Sequence, residues 1–93
     1  MRTVLDKNVL QRIFKEFPEL ETIWVQGDLA SFYDAWLIVP DNVSAEQVMN
    51  FIDYNLDVAP DNEGATVVFN EGEMRSIGIL NNDFVECKRE DYV

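Results

Sequence analysis

Apolar positions along the chain follow first one period and then the other. Val9, Leu10, Ile13, Phe14 and Phe17 recur at the spacing of a single helical face, which predicts a helix capped by Asp6 and running to about Phe17, where Pro18 stops it. The β-branched and aromatic run Thr22 to Gln26 predicts a strand, and Phe32 to Val39 predicts a second. Gly27-Asp28 opens the loop between them, so the pair reads as an antiparallel hairpin that ends at Pro40-Asp41-Asn42. Ser44-Ala45-Glu46-Gln47 is a capping box: Ser44 can accept from the amide of Gln47 while the Gln47 side chain reaches back. It opens a second helix to about Asp57, with Val48, Met49, Ile52 and Leu56 on the buried face and Phe51 at its margin.

Beyond a loop at Pro60 to Gly64, strands are predicted at about Ala65 to Asn70, at Met74 to Leu80 after a turn at Glu71-Gly72, and at Asp83 to Lys88 after a tight turn at Asn81-Asn82. Arg89 to Val93 reads as a short flexible tail. The order α-β-β-α-β-β-β predicts an α+β fold, a small antiparallel sheet of about five strands with two helices on one face. Residues 1–93 make one domain, with a core adequate in size but not generous.

Charge changes this picture more than composition does. The chain carries 18 acidic residues against 7 basic ones, a formal charge of −11. Between Lys15 and Arg75 every charged residue is Asp or Glu, whereas an ordinary surface intersperses the two signs. On the second helix, at 100° per residue, Glu46, Asp53 and Asp57 fall within about 40° of one another, with axial gaps of roughly 10 Å and 6 Å. They form one stripe opposite the apolar face, the wet side expected of any amphipathic helix or a fixed array of anions. Asp57 stands near the helix C-terminus, where the macrodipole disfavours an anion. Tyr54, about 60° to one side, is either an interfacial anchor or a boundary tyrosine. Trp24 and Trp36 lie in strands and are expected in the core.

Candidate chemistry is thin. The absence of histidine removes Ser-His and Cys-His pairs and histidine metal ligands. Cys87 has neither a neighbouring base nor a helix N-terminus to activate it, and a single cysteine forms no internal disulfide. Gly27, Gly64, Gly72 and Gly78 are scattered and build no phosphate loop. Asp57, Asp61, Asn62 and Glu63 near Gly64 have a calcium-loop composition without the alternating ligand order. The expectation is therefore a non-catalytic protein with no cofactor or metal.

No apolar stretch approaches the roughly 20 residues of a membrane span, and no basic-then-apolar leader opens the chain, so the expected compartment is the cytoplasm, the host's if the chain is phage-encoded. Excess negative charge disfavours direct contact with nucleic acid or anionic membrane and favours a basic partner. Two functional classes fit: a DNA-mimic-type decoy of a nucleic-acid-binding protein or nuclease, as in phage or mobile-element counter-defence such as anti-restriction and anti-CRISPR inhibitors, or an immunity or antitoxin protein that neutralises a basic toxin. A structural or regulatory subunit with incidental acidity is a third. The candidate partner-binding residues are Glu46, Asp53, Tyr54, Asp57, Asp61, Glu63, Glu71 and Glu73. Neither strand order nor oligomeric state follows from the sequence.

Overall fold

The computed structural model describes residues 5, 7–28, 33–55, 67–78 and 83–93, and the side chains of these except at 28, 33, 34 and 53–55. The elements are α1 (Lys7–Glu16), β1 (Thr22–Asp28), β2 (Tyr33–Val39), α2 (Ala45–Asn55), β3 (Val67–Asn70), α3 (Glu71–Ser76), β4 (Val85–Lys88) and a closing 3-10 turn (Arg89–Asp91). They build an α+β domain on a four-stranded mixed sheet of order β3-β2-β1-β4.

Helix α1 buries Val9, Leu10, Ile13 and Phe14, the face its spacing predicts. The predicted cap Asp6 lies outside the described residues. Strands β1 and β2 pair antiparallel, with Trp24 opposite Ile38 and Gln26 opposite Trp36. The register slips between Gln26 and Asp28, where Gly27 adopts φ 98°, a conformation that costs glycine little and bends the hairpin at a bulge. On one sheet face Ile23, Val25, Ala35, Leu37, Val39, Val68 and Cys87 join the inward residues of α1 and of α2, Val48 and Ile52, in one buried cluster. Both helices cover that face, as predicted.

Two expectations about the sheet are corrected. It is mixed rather than antiparallel: β2 and β3 run parallel, Trp36 beside Val67 and Ile38 beside Phe69. Helix α2 lies between them in sequence, and a helical crossover returns the chain to the end from which it started, so the strands on either side of it point the same way. The second correction concerns Met74 to Leu80, expected as a strand after a turn at Glu71-Gly72. Glu71–Ser76 is instead helix α3, and 79–82, which include the predicted Asn81-Asn82 turn, lie outside the described residues. Local interactions favour the helix. Glu71 and Arg75 pair at 2.7 Å across one turn, Asp41 Oδ1 accepts from the Gly72 amide at 3.0 Å, and Met74 is buried with Ile38 and Phe84 on the second sheet face. The helix ends at Gly78, whose φ of 74° lets its amide return to the Arg75 carbonyl at 3.1 Å.

The last five residues, expected as a flexible tail, are packed against the domain. Pro18 has no amide hydrogen, so the Phe14 carbonyl lacks the helical donor four residues on. Arg89 Nη1 donates to it at 2.6 Å, and to the carbonyls of Phe17 and Leu20 at 3.2 and 3.1 Å. The Arg89 amide donates to the Glu21 carbonyl at 2.9 Å, extending the β1–β4 pairing by one bond. Tyr92 then stacks on Phe14 with ring centroids 5.8 Å apart. A cation at a helix C-terminus is also favoured by the macrodipole.

Two predictions follow from this closure. Arg89→Ala leaves part-buried carbonyls without a donor and is expected to cost about 2–3 kcal/mol, read as a lower urea midpoint at unchanged slope; Arg89→Lys recovers part of the loss. The second is a pH dependence. Burial pushes the Cys87 thiol above its ordinary 9.0, against a hydrogen bond from Tyr92 that lowers it. Burial and the same bond push Tyr92 from 10.0 up to about 12. Both groups stay protonated in the folded chain after they ionise in the unfolded one, so the unfolded state binds fewer protons and stability falls as pH rises from about 9 towards 12. Urea midpoints across that range check it; Cys87→Ala combined with Tyr92→Phe should flatten the decline.

Candidate functional site

The C-terminal ends of the parallel strands β2 and β3 meet the N-terminal ends of α2 and α3, and one side chain ties the end of β3 to the loop after β2 and to the start of α2. Asn70 ends β3; its Nδ2 donates to the carbonyls of Pro40 and Val43 at 3.1 and 2.7 Å, while its Oδ1 accepts from the Ala45 amide at 3.4 Å. A loop with two carbonyls and a free helix-start amide needs a group that both donates and accepts, and a primary amide is such a group. Ser44 Oγ accepts from the Gln47 amide at 3.3 Å, the forward half of the predicted capping box. Asp41 reaches α3, and a Cβ on Gly72 would stand 2.5 Å from Asp41 Oδ2, so glycine is what allows that close approach. Asn42 Nδ2 donates to the Glu19 carbonyl at 3.2 Å and draws the α1–β1 turn to the same rim.

This network fixes the backbone beneath five carboxylates: Glu19, Asp41, Glu46, Glu71 and Glu73. Glu19, Asp41, Glu46 and Glu73 are exposed, while Glu71 is half-buried against Arg75. Glu46 occupies the first turn of α2, and Glu71 and Glu73 that of α3. Anions there are stabilised by the helix dipoles, so part of the acidity at this rim serves the helices themselves.

Of the predicted site residues, the structure therefore brings Glu46, Glu71 and Glu73 to one end of the sheet. Asp53 and Tyr54 lie on α2, Asp53 two turns beyond Glu46, and their side chains are not described. Asp57, Asp61 and Glu63 lie outside the described residues. Glu19 and Asp41 were missed. The signal for Asp41 was faint but present, since a glycine at the start of an acidic segment can mark a backbone amide that donates to a capping carboxylate.

Arg75 on α3 pairs with Glu71 at this rim, and other described cations lie elsewhere. Arg12 and Lys15 of α1 line, with Glu16 and Phe51, an open hollow of about 380 Å³, and a second of about 270 Å³ lies among Glu21, Thr22, Lys88, Arg89 and Glu90. Cys87 is buried, and the desolvation that raises its pKa suppresses the thiolate a nucleophile needs. Among the described residues no group of three or more His, Cys, Asp or Glu is placed to hold a metal ion, and no helix is long and apolar enough to cross a membrane.

No family model, curated protein or solved structure matches the chain.

The sheet face opposite α1 and α2 is the other notable surface. Expected in the core, Trp24 is only half-buried and Trp36 remains 36% exposed. Phe69 packs on Trp36 with centroids 5.5 Å apart, tilted by 47°. Among the described residues, Met74 of α3 and Phe84 bury Ile38 on this face, and Trp24 and Phe69 pack partly against them.

The rim is tested through its tie. Asn70→Ala should lower stability by about 1–3 kcal/mol, since two carbonyls and an amide lose their partner. Asn70→Asp should be at least as destabilising at neutral pH, because it sets a carboxylate oxygen against the Val43 carbonyl, and should recover as acid protonates it. Urea titration of both variants at neutral and acid pH separates the cases.

Proposed function

We propose that the chain is a non-catalytic binding protein whose carboxylates occupy the basic groove of a nucleic-acid-binding protein or nuclease, a DNA-mimic-type decoy of the kind used in counter-defence. One observation carries this reading: the segment from Glu16 to Glu73, without a single Lys or Arg, supplies all five carboxylates of the rim, with Glu19 drawn to it by the bond from Asn42. The rim is rigid because Asn70 and Asp41 hold its backbone, so its anions are positioned before a partner arrives. Preorganised charge lowers the ordering cost of binding, and a net charge of −11 steers a basic partner towards the chain. Asp53, two turns beyond Glu46 on α2, adds to the negative charge of the segment.

Binding of this kind depends on salt. The immobilised chain should capture DNA-binding proteins from a lysate at about 50 mM salt and release them by about 200 mM. A purified captured protein should lose DNA binding when the chain is added. Charge reversal at Glu46 and Glu73 together should weaken capture by about tenfold or more. Capture indifferent to salt, or partners that bind no nucleic acid, would sink the decoy; a tight one-to-one complex with a small basic toxin would point to the immunity reading instead.

A further inference from the structure

We propose that the open end of the second sheet face, centred on Trp36 and Phe69, docks an arginine-rich segment of a protein partner. The inference deepens the binding reading above, because it assigns a second contact surface on the side of the sheet away from α1 and α2.

Position makes Trp36 unusual. It lies in β2, an inner strand flanked by β1 and β3, yet it keeps 36% of its surface in solvent. The register places Trp24, Ile38, Val67 and Phe69 on the same face: Trp24 opposite Ile38, Val67 beside Trp36, and Phe69 beside Ile38. At the far end Met74 and Phe84 bury Ile38. Trp24 and Phe69 pack partly against that cluster, and Trp36, among the described residues, stands outside it and 36% exposed. Large aromatic groups held on a rigid sheet are characteristic anchors of interfaces, since they give up little side-chain entropy on binding.

Charge decides the occupant. Strands β1, β2 and β3 contain no Lys or Arg, and the chain as a whole carries a net charge of −11. Helix α3, which covers the far end, contributes Glu71, held by Arg75 of the same helix at 2.7 Å, and the exposed Glu73. In β4, Glu86 stands opposite Trp24 and holds Lys88 at 3.7 Å. Single-stranded nucleic acid also stacks on aromatic sheet faces, but its phosphates need a cationic track that these strands lack. A second copy would bring another −11 to the contact. Arginine satisfies both features of the surface, because its planar guanidinium stacks on an indole while its N–H groups bond carboxylates.

Both tryptophans of the chain lie on this face, so its own fluorescence reports occupancy. Titration of the full chain with an Arg-Gly repeat peptide should change the emission, with affinity at least about threefold above that of the matched Lys-Gly peptide. Trp36→Leu, which keeps apolar volume without the π face, should weaken the Arg-Gly peptide by about tenfold. Trp36→Phe should retain most of the binding and Glu16→Gln, on α1 across the sheet, should change it less than about twofold. Unchanged urea midpoints would establish that each variant is folded; if Trp36→Leu is not, the arginine-over-lysine preference of the parent chain and the Trp36→Phe result decide. Equal binding by the Lys and Arg peptides, an unaffected Trp36→Leu, preferential binding of a single-stranded oligonucleotide, or a concentration-dependent dimer abolished by Trp36→Leu would each overturn the proposal. Failure to capture nucleic-acid-binding proteins, with arginine selectivity intact, would remove the decoy reading alone.

Discussion

A single missing hydrogen governs how this chain closes. Pro18 stops α1, but it leaves the Phe14 carbonyl without a donor at the end of a helix whose inner face is the largest contributor to the core. The donor comes from the other end of the sequence. Arg89 gathers the carbonyls of Phe14, Phe17 and Leu20, and this requires β4 to lie beside β1, so that the chain emerges next to the α1–β1 turn. Pairing of β4, packing of Tyr92 on Phe14 and burial of Cys87 all depend on that geometry. The constraint also explains why a base is spent on a part-buried position in a domain so poor in bases: a permanently charged donor nitrogen, Nη1, serves three carbonyls at once.

Asn70 performs the corresponding task at the opposite end of β1's neighbour, where β2 and β3 finish side by side. Parallel strands leave the starts of the elements that follow them crowded together, with helix amides exposed and loop carbonyls turned inwards. Asn70 answers the second need and part of the first, and Asp41 answers the rest at Gly72. The carboxylates of Glu46, Glu71 and Glu73 then lie in a field of helix N-termini that favours them. A rigid anionic rim is thus a natural product of this topology.

Legibility from sequence tracked the range of the interactions. The α1 stripe, the β1–β2 hairpin, the Ser44 cap and the helices on one face rest on contacts between near neighbours or on strong periodicity, and the residues display both. Helix α3 did not show itself, because Glu71-Gly72 has the composition of a turn and the cap that makes it helical is Asp41, thirty-one residues earlier. The parallel pairing of β3 was likewise invisible in the apolar run itself, although the intervening helix implied it. The tail looked frayed because charge and shortness suggest solvent, whereas its partners are 69 to 75 positions away. At the site, the acidity was plain but its grouping was not, and Glu19 joins only through the backbone bond from Asn42.

Trp36 shows most clearly why pattern and surface diverge. In a strand with one face sealed by helices, alternation assigns every second residue to the opposite face and leaves its burial to whatever packs there. Here that is a helix of six residues, long enough to cover Ile38 but not Trp36, two positions away on the same face. Trp36 of the inner strand β2, paired with Phe69 of the edge strand β3, therefore meets solvent for a topological reason, and the lack of bases in the flanking strands determines which partners it can accept. The rim and the aromatic face differ in the physics they offer, the first long-range and salt-sensitive, the second short-range and desolvated. A partner engaging both would be drawn by charge and retained by stacking, with α3 the one element that contributes to each.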